Sequence, residues 1–266
     1  MGMRSRTGRA AAGILTLAGI VAAAGLVACG RSGESAPAGG EAGGALAGGR
    51  QVVLAVDLSG SRSDYHRGEA RAAAEGVIEG MGFGDQIVLL QIHRRAADEE
   101  GAVRWRDVFP LPRNPERPTS FDVQKLEGAK RGAREVVESV FASDSAGLIQ
   151  TTDLVATLHV AAEYLADSER EPKVLVLLSD MLQSAHGVEM SDAVPDAAWI
   201  ERQRELGTLP DLTGACVLVV GADATTPHGV RVREFWRAYL MAAGARLPDR
   251  NWRLIAPSDP DLGCSA

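Results

Sequence analysis

Lysine is almost missing from this chain: Lys125, Lys130 and Lys173 are the only three. Arginine supplies the remaining positive charge, and the acids outnumber the bases by 35 to 28, for a formal net charge of −7. Scarce lysine beside plentiful arginine reads as a trait of a GC-rich coding background and carries no function of its own. The acidic balance does exclude something, because binding nucleic acid through its phosphates needs a concentrated positive face. Catalytic signatures are missing as well. There is no Gly-x-Ser-x-Gly turn to present a nucleophile and no glycine loop followed by lysine to cradle phosphates. No histidine pair stands at zinc-ligand spacing, and no Asp-x-Asp start suited to phosphoryl transfer occurs.

Cysteines number three, and their placement is informative. The chain begins with Arg4, Arg6 and Arg9 and continues into an uninterrupted run of Ala, Gly, Leu, Ile and Val, the layout of an exported precursor. The run is also about long enough to span a bilayer, so a retained transmembrane helix competes with that reading. The end of the run decides between them. Leu26-Val27-Ala28-Cys29 resembles a bacterial lipobox, in which cleavage precedes the cysteine and lipid is attached to its sulfur. Residues 1–28 are then a lipoprotein signal peptide and Cys29 the lipidation site, with several acyl chains giving stable anchoring. Removing residues 1–28 takes away three arginines and no acids, so −7 becomes −10. Residues 29–50 are dominated by Gly, Ala and Ser and read as a flexible tether with a mean reach of roughly 25 Å. Cys216 and Cys264 remain as one candidate disulfide in an oxidising compartment, alongside the alternative of two unrelated thiols.

Residues 51–266 form one domain of ordinary size. Apolar runs such as "QVVLAVD", "DQIVLLQIH", "KVLVLLSD" and "ACVLVVGAD" read as strands covered on both faces. Helical patterns alternate with them, including "YHRGEARAAAEGVIEGMG", "FDVQKLEGAKRGAREVVESVF", "DLVATLHVAAEYLAD", "DAAWIERQRELG" and "VREFWRAYLMAAGA". "AVRWRDVF" follows its neighbour after so short a link that it must pair antiparallel, and "WRLIAP" is read as a last strand. The predicted fold is α/β and doubly wound: a mostly parallel sheet, one antiparallel edge strand, and helices on both faces. Ligands of such folds bind beyond the carboxyl ends of the strands.

That rim collects oxygen-bearing side chains. Asp57 ends the first strand, Ser59 and Ser61 follow in the turn, Thr152 opens a helix, and Asp180 ends "KVLVLLSD". Individually, several of them could be helix caps, as could Asp153. As a set, Asp-x-Ser-x-Ser with a later threonine and aspartate resembles the metal-ion-dependent adhesion site of von Willebrand factor type A domains. The resemblance runs over about residues 51–257. It implies that Asp57, Ser59, Ser61, Thr152 and Asp180 hold Mg²⁺ or Mn²⁺, directly or through water. Hydroxyl ligands leave such an ion enough charge to attract a carboxylate from a partner, and hard oxygen ligands suit magnesium. Two positions depart from the family pattern. Met181 stands where a glycine often follows the aspartate and is expected to narrow or shield the approach. Ile149-Gln150-Thr151 replaces the usual glycine pair, making Thr151 a rival to Thr152.

The resemblance implies a lipid-anchored, non-enzymatic binding module on the bacterial cell envelope, periplasmic or surface-facing. It would engage an envelope or extracellular protein that presents an acidic group, touch the membrane only through its anchor, and leave nucleic acid alone. A metal-assisted hydrolase on the same fold, and a scaffold with a purely structural metal, are the alternatives. His186, Glu189 and Asp192 are read as a solvated loop on the same rim. Phe235, Trp236, Tyr239 and Leu240 are read as a core stripe, and His66, His93, His159 and His228 have no assigned role.

Overall fold

The computed structural model describes residues 49–59, 64–93, 102–143, 151–255 and 264, all within one unit, Gly44–Ala266. Residues 1–28, Cys29 and nearly all of the 29–50 segment lie outside the described residues, as does Ser61. Among the described residues there are eight strands: β1 (Gln51–Asp57), β2 (Gln86–Ile92), β3 (Val103–Val108), β4 (Lys173–Leu178), β5 (Ser184–Ala185), β6 (Val188–Glu189), β7 (Cys216–Val220) and β8 (Trp252–Arg253). The described helices are α1 (Asp64–Glu79), α2 (Ser120–Ser143), α3 (Leu154–Ala166), α4 (Ala197–Glu205) and α5 (Pro227–Ala242).

Six strands make the main sheet in the order β3-β2-β1-β4-β7-β8, and β5 and β6 pair as a separate small hairpin. Every pair in the main sheet is parallel except β2–β3, so the antiparallel edge strand is where its short link requires it. Side chains of successive strand residues leave on opposite faces. Val52, Leu54 and Val56 of β1 therefore pack with Ala74 and Ile78 of α1 and with Val137 of α2. Val53 and Ala55 face the other way, toward Leu158 of α3, Ile200 of α4 and Trp236 of α5. Burial on both sides explains why these strands read as unbroken apolar runs rather than as alternating ones. On the edge strand β3 the pattern returns: Arg104 and Arg106 are exposed while Trp105 packs inward.

The structure departs from the sequence expectation at several points. Helix α5 starts five residues before the predicted "VREFW", because Thr226 caps it through Oγ1, which accepts the Gly229 amide at 3.0 Å, and Pro227 occupies the first turn. The "WRLIAP" strand is only two residues long among the described residues. Val123 stands at helical spacing with the buried Leu126, Ala133 and Val137 but is itself 46% exposed. His186 and Glu189 lie in or beside the β5–β6 hairpin, whose turn uses positive φ at His186 and Gly187.

At the amino-terminal rim of the sheet the chain enters through an ion pair. Asp85 accepts the Arg50 amide at 2.7 Å and its guanidinium at 2.7 and 3.1 Å, and also takes the Gly82 amide at 2.7 Å. Arg50, read as the last tether residue, is thus bound to the folded unit. Arg170 seals the same rim, donating to the Gly84 carbonyl at 3.0 Å and to Gln86 Oε1 at 2.7 Å. Cys216, the first residue of β7, is joined by a disulfide to Cys264 across 48 residues of sequence, with a Cα–Cα distance of 5.7 Å. Among the described residues no helix is long and apolar enough to cross a membrane.

Candidate metal site at the carboxyl rim

The chain turns outward from β1 to β2 and β3, then returns to build β4, β7 and β8 on the other side. The crevice between β1 and β4 is therefore the point where strand order reverses, the usual ligand position in open α/β sheets. Val56 stands opposite Leu178 in the parallel register, so Asp57, one residue on, stands beside Ser179. The Ser179 hydroxyl donates to Asp57 Oδ2 at 2.8 Å, and the Ser59 amide donates to Oδ1 at 2.9 Å. Asp57 is fully buried, Ser59 nearly so, and Asp180 follows Ser179 directly, half-buried. Register alone brings the two predicted aspartates, about 120 residues apart in sequence, to adjacent positions on one rim.

Asp180 Oδ1 accepts the Leu182 amide at 3.0 Å, which turns the chain back under the rim. The residue between them, Met181, has φ of 65°, a left-handed conformation that glycine adopts freely and other residues at a cost of about 1 kcal/mol. The Met181 amide donates to Ser179 Oγ at 2.9 Å, and the Trp236 indole N–H donates to the Met181 carbonyl at 2.8 Å. Met181 has no exposed surface and packs within the core on the α3–α5 side. The expectation that it shields the approach is therefore corrected: its side chain is in the core, and only its backbone belongs to the rim.

Thr152 is buried, immediately before Asp153, whose Oδ1 caps α3 by accepting the Ala156 amide at 3.0 Å. It is joined to the segment after Asp180 by two bonds: its amide donates to Ser184 Oγ at 2.8 Å, and its carbonyl accepts the Ser184 amide at 2.9 Å. Its rival Thr151 is half-buried and lines a separate cavity of about 500 Å³ with Asp153, His186 and Glu189. A second cavity, about 230 Å³, lies against Asp180 and is lined by His66, Leu182, Asp223, His228 and Val232 among others. The Thr225 hydroxyl and amide hold the Asp223 carboxyl below the usual carboxylate range.

The donor chemistry suits a hard cation. Every predicted ligand offers oxygen, the donor that hard divalent ions prefer. Among the described residues no group of three or more His, Cys, Asp and Glu could hold a metal by itself, so hydroxyl ligands would be required. Ser179 and Gln183 bond Asp57 and Asp153 at this rim and were not singled out, and His186, read as part of a solvated loop, bonds Asp153. The one visible sign was Ser179, a hydroxyl breaking an apolar run just before an acid.

The chain matches no protein-family model and no curated protein. Solved structures do align with it. An aerotolerance-related membrane protein from Bacteroides fragilis shares 15% identity over 80% of this chain and 95% of its own, at a TM-score of 0.38. A von Willebrand factor type A protein from Catenulispora acidiphila shares 15% over 80% of this chain and 39% of its own, at 0.39. The manganese-loaded TRAP protein of Plasmodium vivax shares 15% over 77% and 70%, at 0.38. This chain spans less than half the length of several of the aligned proteins, among them the Catenulispora protein and a mussel byssus matrix protein, of which it covers 44%. By its mixed six-stranded sheet, antiparallel edge strand and two helical layers, the chain has a doubly wound α/β fold.

Proposed function

We propose that this protein is a cell-envelope binding module that engages a macromolecular partner through Mg²⁺ or Mn²⁺. Asp57, Ser59, Ser61, Thr152 and Asp180 would hold the ion, which when bound supplies positive charge for an acidic group of the partner. The chain's own residues do the rest. Asp57, oriented by Ser59 and Ser179, and Asp180, oriented by the Leu182 amide, fix carboxylates at the rim, while hydroxyls complete the ligand set without cancelling the ion's charge. Lipid on Cys29 and the 29–50 tether would place the domain at a membrane surface, clear of the headgroups.

The observation that carries this reading is the register of β1 against β4, which sets Asp57 beside Ser179 and Asp180. Calorimetric titration of the full chain in detergent with Mg²⁺ and Mn²⁺, beside Asp57→Ala and Asp180→Ala variants, tests it. Binding lost in both variants, with metal-dependent capture of one envelope protein, is the expected result. No binding by the wild type ends the proposal, and metal-dependent turnover of phosphoesters would replace it with the hydrolase.

A further inference from the structure

From Asp180 into the β5–β6 hairpin the chain makes a short strap, and the side chains of Gln183, Ser184 and His186 bond the start of α3. Gln183 is 1% exposed, and its Oε1 accepts the Leu154 amide at 2.6 Å and the Val155 amide at 3.3 Å, while its Nε2 donates to Asp153 Oδ1 at 3.2 Å. Ser184 holds Thr152 from both sides through the reciprocal pair described above. His186 reaches Asp153 Oδ2 with Nε2 at 2.6 Å, and because a carboxylate only accepts, Nε2 carries the proton.

A helix start leaves its first amides without intrahelical partners. Here one side chain, Asp153, caps in the ordinary way, and a second from a different segment takes two more amides. A helix needs no such doubling merely to begin, since a single cap satisfies the usual requirement. What the doubling adds is rigidity between two places: the strap begins at Asp180 and ends on Thr152.

We propose that Gln183 and Ser184, with His186 closing the far end, are positioning residues that fix Thr152 relative to Asp180 and thereby set the affinity of the rim for a divalent cation. This rests on the metal-site reading above. None of the three touches the ion. Their effect passes through the Thr152 backbone and the Asp153 cap, as the outer partners of metal ligands commonly act, where loss of one weakens binding roughly 10- to 100-fold.

The test uses the full chain in detergent, with two readouts. Amide hydrogen exchange without metal reports whether the clamp exists: the Thr152 and Leu154 amides are expected to be protected in the wild type, Thr152 exposed in Ser184→Ala, and Leu154 exposed in Gln183→Ala. Titration with Mg²⁺ alone reports what the clamp does. Ser184→Ala and Gln183→Ala are expected to bind roughly 10- to 100-fold more weakly while still fully folded in the titration, with urea midpoints lowered only by their lost hydrogen bonds, and Ser184→Thr, which keeps the accepting oxygen, to bind within about 3-fold of wild type. Protection unchanged in the variants overturns the clamp whatever the metal does. Protection lost with Mg²⁺ affinity unchanged, or affinity lost only in step with global stability, overturns the positioning role. A wild type that is protected yet binds no Mg²⁺ removes the metal reading and with it the affinity half of this proposal, leaving only a helix clamp.

Discussion

The two rims of the sheet treat a buried carboxylate in opposite ways. At the amino-terminal rim Asp85 is met by the Arg50 guanidinium and two backbone amides, so its charge is cancelled where it sits. At the carboxyl-terminal rim the Ser59 amide and the Ser179 hydroxyl, both neutral donors, aim the Asp57 carboxylate. The disulfide and Arg170 also belong to the first rim, whereas the cavities beside Asp180 and Asp153 and the left-handed Met181 belong to the second. One end of the sheet is closed by an ion pair and a disulfide, and the other carries the cavities.

Breaking the closed rim should cost the most and leave binding alone. Reducing the disulfide releases a 48-residue link, which by chain entropy lowers stability by about 4 kcal/mol. A urea midpoint that falls with dithiothreitol, at unchanged Mg²⁺ affinity, is the expected result. Asp85→Ala strands a mostly buried Arg50 and should cost about 3 kcal/mol in urea unfolding, again without touching metal binding. The open rim should answer the other way. Asp57→Asn keeps the shape and is expected to weaken Mg²⁺ binding about 100-fold or more by calorimetry, while stability stays within about 1 kcal/mol of wild type. Trp236→Phe leaves the buried Met181 carbonyl without its indole donor and should cost about 1–2 kcal/mol by thermal unfolding.

The smallest expected effect concerns pH. The Asp223 carboxyl is held below its ordinary value of 3.8, chiefly by Thr225. Its folded value being the lower one, any stability it contributes is present above about pH 4 and is lost as the pH falls through the folded value. Thr225→Ala should return the Asp223 titration toward the ordinary range, as followed by NMR.

The strands were legible because each is buried on both faces, which leaves a continuous apolar run that nothing else in the chain imitates. Asp57 and Asp180 were legible for the same reason, each being an acid that ends such a run. Ser179 was not, since its meaning depends on which residue of β1 stands beside it, and register between distant strands is not written locally. Gln183 and His186 act on a helix start some thirty residues earlier, again a pairing that only the folded chain creates. The early start of α5 was written in Thr226-Pro227, a cap signal overlooked in favour of the apolar stripe that follows. Val123 shows the converse, a helical spacing that extends past the end of the buried face.

Of the four tryptophans, Trp236 alone is fully enclosed, and its indole is tied to the backbone of the residue following Asp180. The protein therefore carries a built-in optical reporter at the rim. Any rearrangement around Asp180 that stretches that single bond should alter the blue-shifted emission of one known ring, so ligand arrival can be followed by intrinsic fluorescence without attaching a dye.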